Sequence, residues 1–237
     1  LFVAMEQGIA QRGLALGTEM RQWGSERVRA ILADNPSTPA QNLFAAEWAG
    51  RLGIREVTPA IRRRSGPMEK SVEMRVVSVR ALLEMADPEA EPLVEALLRQ
   101  ESVTRDQRAM LAQAAIRFRS ATAIPMLLRV LREVASGAAV PMAAAVGGSG
   151  EGADALLRAI ADGRASASLL LERSVQERIL AVRPQFKDRL PQGNAADPDA
   201  KRRLERVAHR SADFRKSAPD AKAGAQLFQS HCMPCHS

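Results

Sequence analysis

Val57-Thr58-Pro59-Ala60-Ile61, Ala90-Glu91-Pro92-Leu93-Val94 and Ala123-Ile124-Pro125-Met126-Leu127 are three versions of one pattern, with prolines 33 and again 33 residues apart. Aliphatic residues follow at helical spacing: Leu93, Leu97 and Leu98 in the second copy, Leu127, Leu128 and Leu131 in the third. Proline at the head of such a run predicts a helix that holds it in the first turn, where an N–H has no intrahelical acceptor and its loss costs nothing. A fourth copy, Gly152 to Ile160, keeps the aliphatic positions, carries Asp154 where the others carry proline, and lies 29 residues beyond Pro125.

Ahead of the first three copies stand apolar runs richer in alanine, which predict helices over 41–52, 72–85 and 108–118. Their inner faces are Leu43, Ala46, Trp48 and Leu52, then Val72, Val76, Val79 and Leu83, then Leu111, Ala114, Ala115 and Phe118. A pair of short antiparallel helices cannot bury both stripes by itself, so neighbouring pairs must stack into one continuous core. The punctuation fits: Gly53 after one helix, Asp87-Pro88 before another, and Asn35-Pro36-Ser37-Thr38-Pro39, a stretch that offers an N-cap followed by a proline at the first helical position.

This pattern resembles HEAT-type repeats. The resemblance implies an all-α fold, a HEAT-like helical-repeat solenoid clearest over residues 38–161, with residues 1–37 a partial earlier unit. From Arg164 the period is lost, and Leu169, Leu170, Leu171, Val175, Ile179, Leu180 and Val182 predict short capping helices within 162–190. The run Leu190 to Pro198 is rich in turn formers, so residues 191–219 are expected to hold a linker and then a polar helix over about 199–214. The repeats read as a scaffold or as a concave surface for a protein partner. Glu47, Glu73, Glu84 and Asp87 are expected on solvated helix edges, with no histidine beside them to suggest chemistry.

Hydrophobic residues make up 46% of the chain, the level of a packed globular protein, yet charged residues break every apolar run well short of the roughly 20 residues that cross a bilayer. The net charge is +7 and the isoelectric point about 10.3. Nucleic acid is nevertheless not expected, because the arginines are scattered beside acidic residues and with no Tyr and 3% aromatic content there is no platform for base stacking.

The last informative stretch is Cys232-Met233-Pro234-Cys235-His236. Two thiols two residues apart reach the two vinyl groups on one side of a porphyrin, and a histidine directly after the second aims its imidazole at the iron. Cys232 and Cys235 are therefore the expected thioether positions of a haem c, with His236 its axial ligand. The distal ligand is expected from outside the chain, since Met5, Met20, Met68, Met74, Met85, Met110, Met126 and Met142 belong to the repeat region and Met233 lies inside the loop. Three other readings stand beside this one. A thioredoxin-like dithiol needs CxxC after a strand and at the start of a helix. Zinc finds four donor types in His231, Cys232, Cys235 and His236, but neighbours on one tight loop cannot all face a tetrahedral ion. The third is an inert cysteine pair. His209 reads as a surface helix residue.

Gly224, Leu227 and Phe228 ahead of the motif resemble the opening of a class I cytochrome c domain over about the last 17 residues. That resemblance implies that residues 220–237 begin such a domain, with Gly224 allowing close helix packing and Leu227 and Phe228 covering the haem edge. Repeats, the capping stretch 168–180, a linker and then Gly-x-x-Leu-Phe before CxxCH together resemble large bacterial secreted proteins, membrane-bound dehydrogenases with a haem-binding domain. In that family a β-propeller precedes the repeats. The resemblance implies electron transfer from an oxidised sugar or alcohol, through the haem, to an external acceptor in the periplasm or on the outer face of a membrane. Only Cys232, Cys235 and His236 carry over by position; no catalytic residue does. Because the chain opens on Leu1 in mid-pattern and stops one residue after His236, it is expected to be a non-catalytic piece of a longer protein.

Overall fold

The computed structural model describes residues 11–12, 17–33, 37–188, 190–191, 209–213, 216 and 220–231, and these are helical with no strand among them. The chain divides into two compact units, Leu1–Leu190 and Pro191–Ser237.

In the first unit, α1 (Thr18–Ala33) buries Val28 and Leu32 against α2 (Pro39–Leu52). Thr38 caps α2 reciprocally with Gln41: the Gln41 N–H donates to the Thr38 hydroxyl at 3.3 Å and the Thr38 N–H to Gln41 Oε1 at 2.8 Å. That satisfies two of the orphan donors every helix start carries. Gly53 ends α2 at φ 67°, a left-handed turn that glycine adopts without a Cβ penalty. A 3-10 turn (Arg55–Val57) leads into α3 (Thr58–Ser65), and then follow α4 (Val72–Glu84) and α5 (Ala90–Leu98). Next comes α6 (Arg105–Val130), bent at Arg119, whose φ of −147° and ψ of 40° leave the helical region just after the expected end at Phe118.

α7 (Ser136–Gly147) and α8 (Gly150–Ala161) form the next pair. The sequence reading assigned no helix to residues 136–147. Its reason is physical: Ala139, Val140, Pro141, Met142, Ala143, Ala145 and Val146 are all buried, so α7 has no polar side and no stripe to read. Short 3-10 segments (Ala167–Leu171 and Pro184–Phe186) flank α9 (Arg173–Val182), which lays Val175 and Ile179 on α7.

The helices pack in two rows. α2, α4, the first half of α6, α7 and α9 touch in sequence, while α3 and α5 pack on α4 and α8 packs on α7. The first row is close. A Cβ added at Gly50 would lie 2.7 Å from the Ala81 Cα, so glycine sets how near α2 and α4 come. Leu82, Leu83 and Leu111 of this row are fully buried, as are Leu97, Leu98 and Leu127 of the other, each contributing roughly 1.5–3 kcal/mol of burial. The other row is formed by α3, α5, the second half of α6 and α8, and ion pairs bridge its first three members. Arg62 reaches Asp87 and Glu89, Arg129 reaches Glu95, and Arg99 reaches Glu133.

Two expectations need correcting here. Pro59 and Pro92 do fall in the first turns of α3 and α5, but Pro125 sits six residues past the Arg119 bend. Its missing N–H leaves the Ala121 carbonyl on an exposed side of the helix, where water serves, and the helix tolerates it. Glu84 and Asp87 are not solvated. The Glu84 side chain is 10% exposed and bound to Arg80, and Asp87 is 7% exposed. Asp87 Oδ2 accepts from Arg62 Nε at 3.1 Å and Nη2 at 2.8 Å, while Oδ1 accepts the Glu89 N–H at 2.9 Å. One carboxylate thus caps the entry to α5 and ties it to α3, and the charge it buries is paired.

Candidate functional site

The second unit holds the sequence-derived site. Cys232, Cys235 and His236 lie outside the described residues, as do most of the expected linker and polar helix; within that helix residues 209–213 are helical. His209 is exposed, its Nδ1 2.8 Å from Asp213 Oδ2 one turn on.

What the structure describes is the approach to the motif. Asp220 Oδ1 accepts the N–H groups of Lys222 at 2.8 Å and Ala223 at 3.3 Å, which starts α10 (Ala221–His231). The helix then runs without interruption to the residue before Cys232. A thioredoxin-like dithiol requires the opposite context, a strand before and a helix after. Leu227 and Phe228, adjacent on α10, are 60% and 54% exposed. A Cβ at Gly224, one turn back, would meet nothing within 4 Å. Large apolar groups in water are a standing cost of about 25 cal/mol per Å² of apolar surface. The face that carries them ends at the motif.

In the first unit Met74, Met85, Met126 and Met142 are buried in the core. Met68 is exposed, between α3 and α4.

A second feature escaped the sequence reading. Arg129, Arg132, Arg158 and Arg164, which looked scattered, line a single groove between the second half of α6 and α8. They come from segments some 30 residues apart, and only the helix packing brings them together. The acid–base pairs elsewhere are structural in kind. The hydrogen bond from Arg183 holds the Asp154 carboxyl below its usual range, and that from Arg99 does the same for Glu95. The hydrogen bond to Asp87 likewise holds the Arg62 guanidinium above its usual value.

Comparison with protein-family models, curated proteins and solved structures finds no match for this chain.

Proposed function

We propose that this chain carries the attachment site of a covalent c-type haem, held by a HEAT-like helical-repeat scaffold, and that it serves electron transfer in a multidomain extracytoplasmic dehydrogenase-like protein. The observation that carries the reading is the donor set itself: two thiols two residues apart and an imidazole directly after them, entered from a helix. The residues fit the group chemically. Cys232 and Cys235 supply the sulfurs for two thioethers, and His236 supplies a nitrogen for the iron.

When bound, the haem supplies a one-electron couple. The protein's own residues contribute its position and surroundings. Asp220 fixes where α10, the helix that leads to the motif, begins. Leu227 and Phe228, more than half exposed ahead of the motif in sequence, would offer apolar surface to a bound haem, whose reduction potential depends on burial and local dielectric. The two rows of stacked helices in the first unit fit a scaffold whose period of about 33 residues follows the prolines.

The test is expression of the gene product in a host with c-type haem maturation machinery. The expected product is coloured after denaturing electrophoresis and stains for haem; Cys232→Ser with Cys235→Ser abolishes the stain, and His236→Ala alters or abolishes the visible spectrum. A colourless protein with two free thiols overturns the reading and leaves the alternative, a helical-repeat scaffold for a protein partner with no redox role. The basic groove of the first unit is the observation that favours that alternative.

A further inference from the structure

The groove between the second half of α6 and α8 has a volume of about 450 Å³. Its floor is apolar, made by Ile124, Leu128, Ala155 and Ala159; its rim carries four guanidiniums against one carboxylate, Glu151. Of the four, Arg132 has no ion-pair partner among the described residues, and Arg158 donates from Nε to the Asp154 main-chain carbonyl at 3.3 Å. Arg129 stands 3.3 Å from Glu95, and Arg164 2.7 Å from Asp162, both arginines more than half exposed. Exposed pairs of this kind contribute about 0–1 kcal/mol, so they exchange partners at little cost. An excess of positive charge over a greasy floor is a defined recognition surface. Guanidiniums present planar forks that match carboxylates two bonds at a time.

Neighbouring slots set the kind of anion. On one side a slot of about 430 Å³ shares Arg129 and is lined by Glu91 and Glu95. A polyphosphate strand laid along the groove would run onto those carboxylates, and no aromatic side chain lines either slot to stack a base. On the other side a slot of about 340 Å³ shares Arg132 and Arg164 and adds Leu169 with the hydroxyls of Ser136, Ser166 and Ser168. The basic part therefore continues in that direction, again over aliphatic surface and with neutral hydrogen-bonding groups. Carboxylates spaced along a flexible chain, with aliphatic side chains between them, satisfy every element of this lining.

We propose that this groove binds an acidic, aliphatic-rich peptide segment of a partner protein, with Arg132 and Arg158 as the principal carboxylate-binding groups. The proposal is independent of the haem assignment, since all its residues lie in the first unit. Affinity comes from two sources that respond differently to conditions: charge pairing, weakened by salt, and apolar burial, which salt leaves in place.

The test uses the whole chain and a fluorescent peptide of about 12 residues alternating glutamate and leucine, which spans about 40 Å when extended. Binding is followed by anisotropy at low and at physiological salt. The expected results are saturable binding that weakens as salt rises, a loss of about tenfold or more in Arg132→Glu with Arg158→Glu, and no binding of the same peptide with lysine in place of glutamate. Arg173→Glu, an exposed change outside the groove, leaves affinity unchanged. Circular dichroism checks that the double variant folds, and the lysine peptide tests charge selectivity on the unaltered protein if it does not. Absence of saturable binding, equal affinity of the folded double variant, or tighter binding of a single-stranded oligonucleotide of matched charge overturns the proposal.

Discussion

α5 and α10 are short helices with similar patterns, each with an apolar side and a polar one, and they meet opposite fates. In α5, Val94, Leu97 and Leu98 are buried between α4 and α6. In α10, Leu227 and Phe228 are more than half exposed. An amphipathic stripe is a demand for a partner. In the first unit neighbouring helices meet it, whereas α10 is followed in sequence by two cysteines and a histidine. The contrast separates a helix whose stripe is buried from one whose two large apolar residues are more than half exposed.

The largest expected effect tests the first half of that contrast. Leu97→Ala removes a fully buried side chain and should cost about 3 kcal/mol in chemical denaturation of the first unit. Next comes the junction that holds successive pairs in register. Asp87→Ala removes both the cap on the Glu89 N–H and the carboxylate that pairs Arg62, and should cost about 2 kcal/mol, whereas loss of an exposed ion pair would be near zero.

A smaller effect is set by pH. Because Arg183 holds the Asp154 carboxyl below its usual value, the folded state binds that proton less readily than the unfolded state. The pair's contribution is therefore complete above the ordinary carboxylate range and disappears as pH falls through the lowered folded value. The melting-temperature gap between wild type and Asp154→Asn should be constant near neutrality and close below about pH 4; a gap that widens toward acid would reverse the assigned sign. The smallest effect belongs to α10. Phe228→Ala should change the stability of this chain by less than about 0.5 kcal/mol, since the ring is half in water already. A loss comparable to that of Leu97→Ala would erase the distinction between the two helices.

Much of the helical order was legible in the sequence because proline, caps and period act locally. Thr38, Pro39 and Gly53 bound α2 by chemistry that involves no distant residue. What escaped depends on tertiary neighbours. α7 carries no stripe because it is covered on all sides, so periodicity had nothing to detect. Asp87 was read as solvated because its partner, Arg62, is 25 residues away and the bend at Ala86, with φ of 59°, turns the carboxylate inward. The arginine groove escaped for the same reason: its residues are distant in sequence and adjacent only after the helices pack. The proposed haem site is the reverse case: its three donors are neighbours in sequence, so the proposal needs no distant residue, and α10 describes the helix that leads to them.

The most direct test of the central claim is the mass of the proteolytic peptide that begins at Ala223, after cleavage at Lys222, from gene product matured in a host competent for c-type haem. This peptide should carry the added mass of one haem bound through both Cys232 and Cys235. The same peptide found with no added mass, as free thiols or as a Cys232–Cys235 disulfide, would contradict it.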